Sequence, residues 1–142
     1  EALATVSYRP GDIGAAIASG SYETAGMIVA PCSIKSLSAI ANSMGDDLIT
    51  RAADVQMKEG RPVLLMVRET PLHVGHLEQM VQAARIGYII FPPVPAFYGR
   101  PKTLDDLIDG TVGRVLARIG FDNDLYTRWL GMREASKHIF NS

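Results

Sequence analysis

Pro62-Val63-Leu64-Leu65-Met66-Val67-Arg68-Glu69-Thr70-Pro71-Leu72-His73 is the stretch that decides how this chain folds. Its first half is an apolar run of strand length, the pattern of a buried strand. An arginine and a glutamate then stand at the carboxyl end of that strand. Thr70 suits an N-cap and Pro71 a first helical position, which predicts a helix running to Arg85 and ended by Gly87. A second buried strand, Tyr88-Ile89-Ile90-Phe91, leads into Pro92-Pro93-Val94-Pro95-Ala96-Phe97-Tyr98, a stiff loop with an aromatic tip. In open α/β sheets ligands bind outside the carboxyl ends of parallel strands. Arg and Glu seldom sit beside a core strand without a partner or a ligand, so both strand ends read as parts of a site.

Outward from there the pattern repeats. Gly26 to Ala30 reads as a buried strand ending at Pro31, and Ser33 caps a helix from about Ile34 to Asn42 with Leu37, Ile40 and Ala41 on one face. Asp46 or Asp47 opens a helix through Lys58, closed by Gly60. Thr103 caps a helix whose first turn carries Asp105 and Asp106, where carboxylates suit the helix dipole. Leu104, Leu107, Ile108, Val112, Val115 and Ile119 keep its helical period. Asp12 through Ser19 reads as a short helix stopped at Gly20. The tail from about Phe121 reads as irregular, with a helical piece near Trp129. Alternating strands and helices predict an α/β fold with a parallel sheet. Without repeats or a linker, residues 1–142 are read as one domain. Three convincing strands are few for such a sheet, and the chain opens at Glu1 with a loop-like segment; the expectation is a piece from the middle of a longer protein.

The 142 residues carry 47% apolar and 20% charged side chains and a net charge of -1. No global basic field points to nucleic acid, so an anion site has to be a local cluster. Cys32 is the only cysteine, which excludes an internal disulfide and suits a reducing compartment. No apolar run approaches the ~18 residues that span a bilayer. No signal peptide is visible, so the cytoplasm is expected, with no membrane partner.

Several residues carry potential chemistry. Pro31-Cys32-Ser33-Ile34-Lys35-Ser36 leads from a strand to a helix start, where free N–H groups, two hydroxyls and a lysine suit an anionic or strongly polar ligand. Simple capping by Ser33 is the slightly better reading of that motif alone. Surface solvation accounts for Arg51 and Lys58, whereas Arg68 directly follows a buried strand and can grip a phosphate through two parallel hydrogen bonds. Glu69 is either the structural partner of an arginine or a proton acceptor, and the pattern favours neither. Tyr98 offers a phenol and a π-face. Trp129 reads as a core or interface anchor. His73 and His76 have a spacing that can bind metal, but no Cys or acidic cluster completes a site, so helix packing or capping is preferred and no metal is expected. Cys32 lacks a Cys-His-Asp arrangement and reads as an inert buried thiol. The surroundings of Gly14 and Gly20 form no dinucleotide fingerprint.

Taken together, Ala18-Ser19-Gly20-Ser21, Gly26 to Ser33, Arg51-Ala52-Ala53-Asp54-Val55, Lys58-Glu59-Gly60-Arg61, Val67 to His76, Pro92 to Tyr98 and Val112-Gly113-Arg114-Val115-Leu116 resemble the flavin prenyltransferase (UbiX) family, whose members were often described as aromatic-acid decarboxylases. The likeness runs from about Asp12 to Arg128. It implies a Rossmann-like, flavodoxin-type three-layer sheet that binds FMN, assembled as a homo-oligomer, commonly a dodecamer. It also implies transfer of a dimethylallyl group from dimethylallyl phosphate to N5 and C6 of reduced FMN, without a metal, for use by a UbiD-type decarboxylase. By position, Ser33, Ile34, Lys35, Ser36 and Arg68 resemble flavin contacts. Lys58, Arg68, Tyr98 and Arg114 resemble the set holding dimethylallyl phosphate, Glu69 the catalytic acid/base, and Arg51 and Trp129 flanking positions. The family's opening strand and Gly-Ala-Ser-Gly-type FMN loop have no counterpart before Asp12, so an N-terminally incomplete sheet and FMN site are expected. Two other readings stand beside this one: an FMN-dependent decarboxylase of the wider flavoprotein family, acting through a His and a Cys on cysteinyl substrates, and a non-catalytic flavin-binding fragment.

Overall fold

The computed structural model describes residues 3–128. Trp129 and the helical piece expected near it lie outside the described residues. Contacts divide the chain into two compact units that meet in sequence at Pro93 and Val94.

The first unit holds β1 (Met27–Cys32), α1 (Ile34–Ala41), α2 (Leu48–Lys58), β2 (Val63–Val67), α3 (Val74–Ile86) and β3 (Ile89–Ile90). Its sheet has the order β1-β2-β3 with both pairings parallel, so the α/β fold class read from the sequence is the one observed. The central strand β2 is buried along almost its whole length, with Val63, Leu64 and Leu65 fully enclosed. That is why it reads as a continuous apolar run rather than an alternation. Val63, Leu65 and Val67 share one core with Val29, Leu37, Ile40, Ala53, Ala83 and Tyr88, so α1, α2 and α3 all contribute to it. The face of α1 expected to be buried (Leu37, Ile40, Ala41) is the buried one.

Local capping chemistry sets most helix starts. Asp47 opens α2 with a full capping box, accepting the Thr50 N–H at 2.8 Å while the Thr50 hydroxyl takes the Asp47 N–H at 3.3 Å. Gly60, just past the end of α2, has φ 71°, a left-handed conformation that glycine adopts at no steric cost. Gly26 precedes β1 with φ 152°, and a Cβ there would lie 2.7 Å from the Pro62 carbonyl oxygen. The same carbonyl accepts the Met27 N–H at 2.9 Å, which starts the β1–β2 pairing.

Three expectations need correction. Asp12–Ser19 is not a helix; only Ala16–Ala18 forms a single 3-10 turn, without a side-chain cap or a buried residue. Asp12 accepts the Arg9 N–H at 2.8 Å instead of capping a helix. β1 does not stop at Pro31 but continues to Cys32. Pro31 falls where the register shifts between Val29 and Cys32, and an irregularity of that kind tolerates a residue without an N–H. The helix expected from Thr70 and Pro71 begins at Val74, with His73 as N-cap and no side-chain cap bond. Thr70–Pro71 is a cis peptide bond, and residues 70–72 form a turn outside the helix.

The second unit contains α4 (Leu104–Arg118), opened by the expected Thr103 through a capping box with Asp106. Asp106 accepts the Lys102 N–H at 2.7 Å and the Thr103 N–H at 3.0 Å, and these bonds hold its carboxyl below the ordinary range. Residues 121–126 fold back on α4 at Gly113, whose carbonyl accepts the Asn123 side-chain N–H at 2.9 Å. A Cβ on Gly113 would meet Asn123, Leu125 and Tyr126 at 2.7 to 2.9 Å. Among the described residues no helix is long and apolar enough to cross a membrane.

The buried position of β2 gives a direct test of this core. Leu65→Ala should cost about 2–5 kcal/mol of unfolding free energy, and Asp47→Ala, which removes only a cap, about 1 kcal/mol. Equilibrium denaturation measures both. A Leu65→Ala loss smaller than that of Asp47→Ala would contradict the packing described.

Candidate active site at the carboxyl edge of the sheet

β1 and β2 end side by side. Cys32 pairs with Val67, and the Arg68 N–H donates to the Cys32 carbonyl at 3.1 Å. Ser33 and Arg68, the next residue of each strand, therefore leave the sheet at the same edge. Ser33 is the N-cap of α1: its hydroxyl accepts the Ser36 N–H at 3.2 Å and lies 3.1 Å from the Ser36 hydroxyl. Capping is thus real, yet it does not use up the helix start. The Ile34 and Lys35 amides belong to the first turn and have no acceptor within the helix. Ser33 and Lys35 are exposed, Ser36 is half-buried, and Ile34 packs against the core, anchoring the turn.

Arg68 and Glu69 are both exposed. Among the described residues the ion pair present is Arg128 with Asp122, so Glu69 is not the partner of Arg68. One Glu69 oxygen accepts the Thr70 N–H at 3.1 Å, which fixes the carboxylate and leaves its other oxygen toward solvent. The reading of Glu69 as the partner of Arg68 is therefore not the arrangement in this protomer.

Lys58 is elsewhere in the protomer. It is the exposed last residue of α2, four residues before Pro62, which lies beside the first residue of β1. That is the amino edge of the sheet, separated from the Arg68 edge by the five residues of β2, about 13 Å of strand. Arg51 is exposed in the first turn of α2. In the second unit, Tyr98 is half exposed in a 3-10 turn (Phe97–Gly99) and Arg114 lies exposed on α4. A cavity in that unit, about 380 Å³, is lined by Arg100 and Lys102 but also by Asp106, Asp109 and Asp124. Its carboxylates offset its cations, so it makes a poor anion site.

Cys32 is fully buried, and burial pushes its thiol up to about 11. A neutral, enclosed thiol is no nucleophile, which counts against the reading that needs a reactive cysteine. His73 and His76 stack, ring centroids 3.5 Å apart, and His76 Nδ1 is buried without a hydrogen-bond partner. The spacing that suggested a metal is that of a packed pair, and among the described residues no group of three or more His, Cys, Asp or Glu could hold one. Sequence reading missed Arg61, whose guanidinium donates to the Tyr22 carbonyl at 2.8 Å and the Gly20 carbonyl at 2.9 Å. It clamps the loop before β1 to the end of α2. An arginine directly before a buried strand was the available signal.

Two adjacent strand ends carrying amide, hydroxyl and guanidinium donors suit an electron-rich, phosphate-bearing ligand, and the fold that presents them is of the flavodoxin-like α/β class. The sequence matches the Flavoprotein family over residues 11–116. It is 59% identical over 133 residues to "Flavin prenyltransferase UbiX" of Salmonella typhimurium, covering 92% of this chain and 70% of that protein. Among solved structures, AnUbiX (PadA1) in complex with FMN and dimethylallyl pyrophosphate superposes with a TM-score of 0.88 at 48% identity, over 92% of this chain and 69% of that one. A dodecameric FMN-dependent UbiX-like decarboxylase from Escherichia coli O157:H7 gives 0.87 at 48% identity, over 92% of this chain and 70% of that one. The chain belongs to the flavoprotein family and, within it, to the flavin prenyltransferases.

The buried titratable groups set the alkaline limit of the fold. Cys32 rises from 9.0 to about 11, and Tyr88 from 10.0 to about 12 through burial and the nearby Asp54 charge. Raised folded values mean that the native state holds these protons more tightly. The stability they contribute is complete below the unfolded value of 9.0 for Cys32 and is lost as pH climbs through about 11 and then about 12. Denaturation midpoints should therefore show no loss from these groups up to about pH 9 and decline above it. In the native protein at pH 8, Cys32 should resist a thiol reagent that labels it at once in denaturant; labelling at the free-thiol rate would contradict its burial.

Proposed function

We propose that this chain binds FMN at the Ser33–Arg68 edge and transfers a dimethylallyl group from dimethylallyl phosphate to the reduced flavin, yielding the prenylated cofactor used by a UbiD-type decarboxylase. The observation that carries the reading is the shared edge: a capped but unspent helix start and an Arg68–Glu69 segment whose side chains are not ion-paired with each other leave paired strands together, in a chain 59% identical to a flavin prenyltransferase. Reduced FMN, when bound, supplies the nucleophilic N5 and C6 positions.

The protein's own residues do the rest. Ser33, Ile34, Lys35 and Ser36 offer amide and side-chain donors that orient the flavin. Arg68 faces flavin and phosphate together and stabilises the negative charge that grows as the carbon–oxygen bond of the allylic ester breaks. By resemblance Tyr98 and Arg114 are counted with the phosphate set: a phenol and a guanidinium are donors for a phosphate, and an aromatic ring face suits an allylic cation. Glu69, held by the Thr70 N–H, exchanges a proton with the bound reactants through its free oxygen. Holding both reactants beside one strand edge supplies the proximity term.

Lys58 belongs to this phosphate set only if another copy of the chain brings it, because in its own protomer it lies at the opposite edge of the sheet. The proposed enzyme is accordingly a homo-oligomer, a dodecamer by analogy with the Escherichia coli relative, acting in the cytoplasm.

Two variants separate the proposed roles. Glu69→Gln keeps size and hydrogen bonding but loses the charge; FMN binding should survive while prenyl transfer slows by roughly a hundredfold or more, the scale of a general acid/base. Arg68→Ala should weaken binding of both ligands. Single-turnover absorbance of reduced FMN mixed with dimethylallyl phosphate reads both. A parent-like rate in Glu69→Gln would remove Glu69 from catalysis.

A further inference from the structure

α3 buries one face, where Ala83 is fully enclosed and Met80 packs on the core. The opposite face is apolar and uncovered: Val74 is 68% exposed, and Leu77 and Val81 are each 47% exposed. The spacing 74, 77, 81 is that of one helical stripe. Glu78 and Arg85 share this face and line the same shallow groove. Seven residues apart, they are separated by about 10.5 Å along the axis and cannot pair within the helix. Among the described residues neither has an ion-pair partner.

We infer that this face docks on the same face of a second copy of the chain, with the two α3 helices antiparallel. A twofold axis crossing beside Val81 brings the two Val81 side chains together. It then sets Glu78 against the partner's Arg85 on one side of the seam, and Leu77 against the partner's Ala84 on the other. The sums of the paired residue numbers agree to within two, so one register satisfies all three contacts, and symmetry makes each charge pair twice. The self-complementarity lies in the order of charges along the helix: acid nearer its start, base nearer its end. A neutral apolar stripe would accept many partners; this one prefers its own antiparallel image.

A 13-residue helix is only about 20 Å long, and one such seam buries less than the roughly 800 Å² per partner of a stable interface. The seam is therefore one contact of a larger assembly and rests on the homo-oligomer of the proposed function.

Sedimentation velocity on the purified protein over a micromolar dilution series, for the parent, Glu78→Arg, Arg85→Glu and the double exchange, tests it. Each single reversal sets like charges face to face twice per seam and should raise the concentration of half-dissociation by about tenfold. The double exchange should return it to the parental value. A parent that is monomeric throughout removes the homo-oligomer and the seam together. An oligomeric parent whose single variants assemble normally removes the seam and leaves the oligomer standing. A double exchange no better than the single reversals also overturns it, because Glu78 and Arg85 would then face other groups.

Discussion

The hydrogen bond from the Arg68 N–H to the Cys32 carbonyl, 3.1 Å long, is the constraint on which the site depends. It carries the parallel pairing of β1 and β2 one residue past Val67. It thereby puts the first residue after each strand, Ser33 on one side and Arg68 on the other, at a common edge. No side chain of the site makes this bond, so the site's identity can be set by side chains while its geometry is set by the backbone. The fully buried β2 and the core beneath it hold the frame. Exposed donors on a rigid edge are pre-organised, and a ligand need not pay for ordering them.

Much of this was legible because it is local. Asp47, Ser33 and Thr103 cap helices within three residues of themselves, so their roles follow from short stretches of sequence. The apolar run at Val63–Val67 showed a strand enclosed on both faces without any knowledge of its neighbours. The errors came where a local rule met a non-local circumstance. Pro31 ends a strand only where its N–H is needed, and the register shift that spares it is a property of the sheet. Asp12 looks like a helix start until its carboxylate turns back to Arg9. Thr70 and Pro71 fit a helix opening, but the chain continues through a turn and starts the helix at Val74.

The site was legible in part. Arg68 and Glu69 stood out as charges next to a buried strand, and only the structure shows that they do not satisfy each other. Lys58 teaches the opposite lesson. Its place at the amino edge follows from topology alone, because a helix leading into the next parallel strand must return to that strand's start. Grouping it with Arg68 by resemblance hides this, since within one protomer the two lie at opposite edges of the sheet. The lack of partners marks Cys32 as inert, and burial supplies the physical reason.

The central claim is that flavin binding uses the paired strand ends. Amide hydrogen exchange with and without FMN measures this at the backbone, independently of turnover. On this account protection grows at residues 34–36 and 68–70, the amides that leave β1 and β2 at their carboxyl ends. Unchanged exchange there, with protection gathered instead at residues 59–62 on the amino edge, would contradict it.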